Sequence, residues 1–304
     1  MGYSARYVSD TFQAAQVNQV TTQAKEQGVS MLPVVNANND PAKQNEDINS
    51  LLGRGIKGLI VNPANSQAIV PAIQKAKAAN VPVVTVDTSA APGAPVAMQV
   101  TSDNYQAGQT ACEALGGVIN AGTVLNLQGD LSTAVGQDRS NGFTDCITKN
   151  FPNISVISKP TDWDSDKCAD VARAVLTTEK IAGVYAAGTM VCLGPVTTVL
   201  QSIDRFAPTG DPKHMPFVAI DGSKPELDAI RDGRLDAVIS QPLDQFAKYA
   251  IYWLKRAMAG ENITAGPTDH NSEVVEINGA LTDKLPVTLV TKQNVDDPAL
   301  WGNQ

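Results

Sequence analysis

The sequence predicts an α/β protein made of two doubly wound parallel-sheet lobes, and three observations predict it. The stretch from Lys57 to Thr88 reads as strand, helix and strand, a crossover of about thirty residues that makes its two strands parallel. The same alternation continues on both sides, then restarts after an Ala- and Pro-rich loop (Ser89 to Pro95) and the Thr101-Ser102-Asp103-Asn104 segment. At 304 residues the chain also exceeds what one ordinary core encloses.

The elements follow in order. A first strand ends at Tyr7-Val8, and Gln13 to Gln27 reads as a polar helix stopped by Gly28. Val29 to Val35 has a strand's composition. Asp40-Pro41 opens a helix as N-cap and first residue, with Ile48, Leu51 and Leu52 facing inward. Gly58 to Val61 is an apolar run too short for a helix. Ile69, Val70, Ile73, Ala76 and Ala79 then recur at helical spacing, Pro71 limits how early that helix starts, and Asn80 before Val81-Pro82 ends it. Val81 to Val86 is a β-branched strand that delivers Asp87 at its carboxyl end, where open parallel sheets bind ligands. Val96 to Val100 is a further strand.

The second lobe predicts helix Tyr105 to Gly116, strand Thr123 to Leu127, helix Ala134 to Lys149, strand Ile154 to Ile157 and helix Asp166 to Thr177. Strand Gly183 to Ala186, helix Val191 to Ile203, strand Phe217 to Ile220, helix Pro225 to Arg231 and strand Leu235 to Ser240 complete the set. Pro242 to Ala259 is strongly amphipathic through Phe246, Tyr249, Trp253, Leu254 and Met258, and Gly260 ends it. Val287 to Val290 is a late strand, after which the chain runs irregularly through Trp301.

The composition, 43% hydrophobic and 18% charged, is that of a globular chain. A net charge of −8 disfavours a nucleic-acid partner, which would want a basic face. No apolar run is long enough to span a membrane. No signal peptide is visible, and we expect a targeting segment upstream of Met1. Cys112, Cys146, Cys168 and Cys192 lack CxxC spacing, so a zinc site is not expected. Four buried thiols are one reading. Each cysteine falls on a predicted helix, however, and successive helices lie close in such a fold. Two disulfides are therefore expected, Cys112–Cys146 and Cys168–Cys192 among three pairings, which implies an oxidising compartment.

Six motifs stand in a familiar order: Asn39 to Ile69 (NDPAKQNEDINSLLGRGIKGLIVNPANSQAI), Val81 to Thr88 (VPVVTVDT), Thr101 to Asn104 (TSDN), Gly136 to Phe143 (GQDRSNGF), Phe217 to Ser223 (FVAIDGS) and Asp236 to Gln245 (DAVISQPLDQ). Together they resemble the ribose-type periplasmic sugar-binding proteins, the extracytoplasmic receptors of ABC importers, over nearly the whole chain to Gln293. The resemblance implies a type I periplasmic-binding fold, two lobes joined by three crossing segments near Ser102–Asn104, Gln241–Pro242 and Pro286–Leu289. Lobe one is then residues 1–103 with 242–287, and lobe two residues 104–241 with 288–304. It further implies a monomer in the periplasm or at the cell surface. That monomer closes on a monosaccharide or sugar alcohol in the interlobe cleft and is read by a membrane permease with an ATPase partner. No cofactor or metal is expected.

A sugar presents hydroxyls that donate and accept, together with apolar C–H faces, so its receptor needs carboxylates, amides or guanidinium groups and aromatic plates. By similarity Asp87 and Asp221 are the two strand-end carboxylates, although a strand-end aspartate more commonly caps a turn. Arg139 is the matching cation, against the simpler reading of a surface arginine on a helix. Gln241 is the amide at a lobe crossing, where it could equally hold the hinge. Trp163 is the stacking aromatic and Phe12 lies near the opposing plate; either could instead be plain core. Asp10 and Gln13 fall in the first binding loop, and Ser102, Thr88 and Gly188 complete the set. Two departures bear on the ligand. Thr88 stands where the ribose-type pattern has arginine, and Gly188-Thr189 where it has an Asn-Asp pair. Each lost bond to a charged group is worth roughly 1.5–3 kcal/mol. The expected ligand thus offers fewer polar groups on that edge, as another pentose, a hexose or an acyclic sugar alcohol would.

Two other classes compete. The effector-sensing domain of lac-repressor-type regulators shares this fold, but it would follow a helix-turn-helix that does not appear here. An enzyme is not expected: only His214 and His270 are available, and no G-x-G-x-x-G, Walker loop or G-x-S-x-G elbow appears.

Overall fold

Strand and helix alternate from the second residue onward in the computed structural model, which describes residues 1–304. The chain divides into two units, one comprising Met1–Ser102, Ser132–Ala134 and Pro242–Pro286, the other Asp103–Leu131, Val135–Gln241 and Val287–Gln304.

The first unit holds β1 (Gly2–Ala5), α1 (Thr11–Glu26), β2 (Val35–Asn36), α2 (Pro41–Gly53), β3 (Leu59–Val61), α3 (Val70–Ala78), β4 (Val83–Val86) and β5 (Met98–Ser102). The second begins with α4 (Asn104–Ile119), β6 (Gly122–Gln128), α5 (Ala134–Asn150), β7 (Ile154–Pro160), α6 (Ser165–Leu176), β8 (Ile181–Ala186) and α7 (Thr189–Ser202). It continues with β9 (Phe217–Asp221), α8 (Lys224–Arg231) and β10 (Ala237–Ser240). The chain then returns to the first unit for α9 (Leu243–Met258), β11 (Gly266–Pro267), β12 (Glu273–Ile277) and β13 (Ala280–Leu285). It ends in the second with β14 (Thr288–Val290) and a 3₁₀ turn, Trp301–Asn303.

The sheet of the first unit runs β11-β12-β13-β5-β4-β3-β1-β2 and that of the second β14-β10-β9-β8-β6-β7. Both are parallel at their centres, as the crossovers require, and β3 and β4 are buried throughout and apolar but for Thr85, because helices cover both faces. The edges depart from the all-parallel expectation: β11, β12 and β13 pair antiparallel, and β14 runs antiparallel to β10. Asn278 and Gly279 join β12 to β13 with both φ values positive, at 51° and 81°. That is the two-residue hairpin geometry which Asn-Gly favours. This ribbon was not expected from the sequence, yet the Asn-Gly between two alternating runs was its signal.

Two strands are shorter than expected. Of the Val29–Val35 run only Val35 pairs with β1, together with Asn36 just beyond it, because β2 is an edge strand and Pro33 has no N–H to donate. The first strand stops at Ala5 instead of Val8, since its neighbour β3 closes at Val61 before Asn62-Pro63. Helix starts follow their caps: Asp40 accepts from the amides of Ala42 and Lys43, and Asp164 from that of Lys167. Disulfides join Cys112 to Cys146 and Cys168 to Cys192, the expected pairing. Each closes a loop long enough to add about 3 kcal/mol to stability.

Candidate functional site

In the first unit the order β2-β1-β3-β4-β5 turns back between β1 and β3, and ligands collect outside the carboxyl ends of strands at such a switch point. Asp87 follows the last residue of β4, 6% exposed, with a left-handed backbone (φ 65°). Its Oδ2 accepts from Gln13 Nε2 and from Asn62 Nδ2, both at 3.1 Å. Asn62, just past β3, also donates to Gln13 Oε1 and Gln16 Oε1 at 2.9 Å, and Tyr3 donates its hydroxyl to Gln16 at 3.1 Å. Burial and the charge of Asp87 push the Tyr3 hydroxyl far above its ordinary range, so it remains a donor. Thr101 Oγ1 donates to the Asp87 carbonyl at 2.7 Å. These bonds hold one carboxylate oxygen in a fixed direction at the sheet's end.

The other residues expected in this unit are placed differently. Asp10 is the N-cap of α1 and accepts from the Gln13 amide at 2.7 Å, so its carboxylate serves the helix start that carries Gln13. Phe12, Thr88 and Ser102 are buried, Thr88 with its amide on the Val86 carbonyl and Ser102 at the end of β5.

The second unit repeats the topology as β7-β6-β8-β9-β10, with its switch point between β6 and β8. Asp221 ends β9 with φ 150°, a backbone conformation that L-residues rarely adopt, so both strand-end aspartates sit on strained backbone of the kind that clusters at functional sites. Asp221 Oδ1 accepts from Gln241 Nε2 at 2.9 Å and Arg139 Nη1 at 3.4 Å; Oδ2 accepts from the amides of Thr189 and Met190 at 3.0 and 3.3 Å. Those amides are the first two of α7, whose N-terminal dipole favours the negative charge. Arg139, from α5, is 2% exposed and donates Nε to Asn104 Oδ1 at 2.8 Å and Nη1 to the Ala187 carbonyl at 2.7 Å. It is no surface arginine.

Trp163 precedes α6 with φ 56°, and its indole lies on the backbone just beyond β6 and β8. A Cβ placed on Gly129 or Gly188 would stand 2.0 or 2.4 Å from ring atoms, so only glycine lets the ring rest there. The Arg139 guanidinium carbon lies 5.8 Å from the ring centroid. The structure therefore brings Arg139, Asp221 and Gln241 into one hydrogen-bonded cluster, with Trp163 and Gly188 beside it.

Sequence reasoning missed several members. Asn62 occupies the strand-end position whose rule had selected Asp87, and that was its signal. Asn104, the Thr189 and Met190 amides and Trp301, whose Nε1 donates to the Asp221 carbonyl at 2.9 Å, carry no local signal, because tertiary packing places them. Glu226 is also buried beneath Asp221, its Oε2 accepting from the amides of Gly222 and Ser223 at 2.6 and 2.5 Å. Burial, and then the Asp221 charge, push its carboxyl up to about 8. His214 and His270 face Asp236 and Asp283, and no group of three or more His, Cys, Asp or Glu is arranged to hold a metal ion.

A family described as periplasmic binding protein domain matches residues 1–262. The ribose import binding protein RbsB of Escherichia coli K12 is 30% identical over 236 residues, covering 77% of this chain and 76% of that protein. A xylitol-binding protein of Mycolicibacterium smegmatis is 29% identical over 204 residues, 65% of this chain and 55% of its own. An ABC transporter solute-binding protein from Mycobacterium smegmatis, solved with bound glycerol, superposes with a TM-score of 0.84 at 26% identity, covering 97% of this chain and 94% of that one. With the family matched over most of its length and both strand-end carboxylates on the repeated 2-1-3-4-5 topology, the chain belongs to the periplasmic binding proteins.

Proposed function

We propose that this protein is the extracytoplasmic solute-binding component of an ABC importer and that it binds a monosaccharide or sugar alcohol without chemistry. The observation that carries the reading is the buried Asp221 cluster, a carboxylate oriented by four donors and paired with Arg139. Such an acceptor, beside an indole plate, suits a guest with hydroxyls on its edge and C–H groups on its face. Arg139 commits Nε and Nη1 within its unit, and we assign Nη2 to the ligand. Asp87, with Gln13 and Asn62, supplies the acceptor of the other unit. We take the two units as lobes that close when one ligand engages both, since a ligand shifts an equilibrium by its differential affinity for the two states. The closed form is the one a membrane permease and its ATPase would read. Two disulfides fit an oxidising, extracytoplasmic location.

The test is a thermal-shift panel of D-ribose, D-arabinose, D-allose, xylitol, myo-inositol and glycerol beside amino acids, followed by calorimetry. At least one sugar or polyol is expected to raise Tm in a saturable way. Stabilisation by amino acids alone would overturn the reading.

A further inference from the structure

Two of the elements that present the second unit's site groups, α6 and α7, begin at that site. The first amides of α7 hold Asp221 Oδ2, and the residue two before α6 is Trp163, whose ring lies against Gly188, the residue before α7. Cys168 and Cys192 are each the fourth residue of their helix, so the disulfide joins first turn to first turn, with Cα atoms 5.6 Å apart. Three residues of helix span only about 4.5 Å, which puts the bond within one turn of the groups that meet Asp221.

The other disulfide lies elsewhere. Cys112 is the ninth residue of α4 and Cys146 the thirteenth of α5, so Arg139 is seven residues from Cys146 and Asn104 eight from Cys112. That is about 10 Å or more along either helix. Nearer the site, α4 and α5 are held by direct backbone approach. A Cβ on Gly108 would stand 2.3 Å from the Arg139 carbonyl oxygen, and one on Gly142 2.1 Å from that of Tyr105. The α6 and α7 first turns carry no glycine, and these helices pack through side chains, with Cys168 and Cys192 in the same apolar cluster as Ala172 and Val196.

We propose that Cys168 and Cys192 are positioning residues of the ligand site: their disulfide holds the Trp163 plate and the Thr189–Met190 amides in register, whereas Cys112–Cys146 only stabilises the fold. The proposal rests on the sugar or polyol reading for its binding consequence but not for its structural one. A site whose supporting contacts are loosened loses affinity through the ordering cost of binding.

The test compares the parent with C168S/C192S and C112S/C146S, and with C168A/C192V as an apolar pair that keeps the helix contact filled. Amide hydrogen exchange in the ligand-free protein is read over residues 161–168 and 188–193. Binding is read by calorimetry with D-ribose and with xylitol, and Tm is recorded for each. All variants are expected to lose Tm. Only those lacking Cys168–Cys192 should exchange faster in both segments and bind the probe about tenfold more weakly, while C112S/C146S keeps the parent's Kd. Parent-like exchange and affinity in C168A/C192V overturns the proposal, as does equal loss of affinity in C112S/C146S. If the parent binds neither probe, the exchange comparison decides the positioning role alone, and the panel above decides the ligand reading.

Discussion

At the scale of single residues, both aspartates are held by converging donors, and Asp221 accepts on both oxygens, which a carboxylate alone can do. Gln13 Nε2 and Asn62 Nδ2 both converge on Asp87 Oδ2, and four donors converge on Asp221. Asp221→Asn puts an amide N–H against at least one of these donors, and each bond to a charged group contributes roughly 1.5–3 kcal/mol. We expect at least a hundredfold loss of affinity by calorimetry, which about 2.7 kcal/mol produces. Gly188→Ala is expected to weaken binding while leaving the chain folded, because the new methyl displaces the indole and not the backbone. Quenching of tryptophan fluorescence by iodide should rise in that variant. Glu226 predicts a pH effect. Its folded value, about 8, lies above the ordinary glutamate value. Its contribution is therefore complete below that ordinary value and is lost as pH rises toward and through about 8. Urea unfolding should show stability falling by up to about 1.4 kcal/mol per pH unit across that window. Glu226→Gln, which imitates the protonated acid, should flatten the slope; an unchanged slope would mean another group titrates.

Among elements, the ribbon formed by β12 and β13 is the part of the first unit that depends most on one side chain. Asp283 is fully buried and accepts from Trp253 Nε1 at 2.7 Å on α9, from His270 Nε2 at 3.0 Å and from the Ser272 hydroxyl. His270 in turn stacks on Tyr249 with ring centroids 3.5 Å apart. Asp283→Ala strands those donors in a dry site, at about 3 kcal/mol or more. The expected result is a lower urea midpoint with hydrogen exchange accelerated first in residues 266–285. The hairpin turn was legible in Asn278-Gly279, but its partner was not, since nothing local in Ala280 to Leu285 announces parallel pairing with β5.

For the whole molecule, the expected signature of function is linkage between ligand and stability. A ligand at a hundred times its Kd adds about 2.7 kcal/mol to the folded state, so Tm should climb logarithmically with ligand concentration. Variants Asp87→Asn and Asp221→Asn should each abolish that climb, because one guest is proposed to engage both units. A variant that leaves the climb intact removes its carboxylate from the site.

The sequence by itself determined the βα alternation, most helix starts, the two strand-end aspartates and the helices that carry all four cysteines. These follow from local chemistry: apolar period, cap residues, and the rule that strands in open sheets end where ligands bind. Only the tertiary structure decided that Arg139 is buried against Asn104 and Ala187, that Trp163 rests on Gly129 and Gly188, and that burial beside Asp221 raises the Glu226 carboxyl. Those facts depend on residues up to about eighty positions apart being brought within hydrogen-bond reach. Burial then pushes the Glu226 carboxyl upward, and no window of sequence contains the neighbours that bury it.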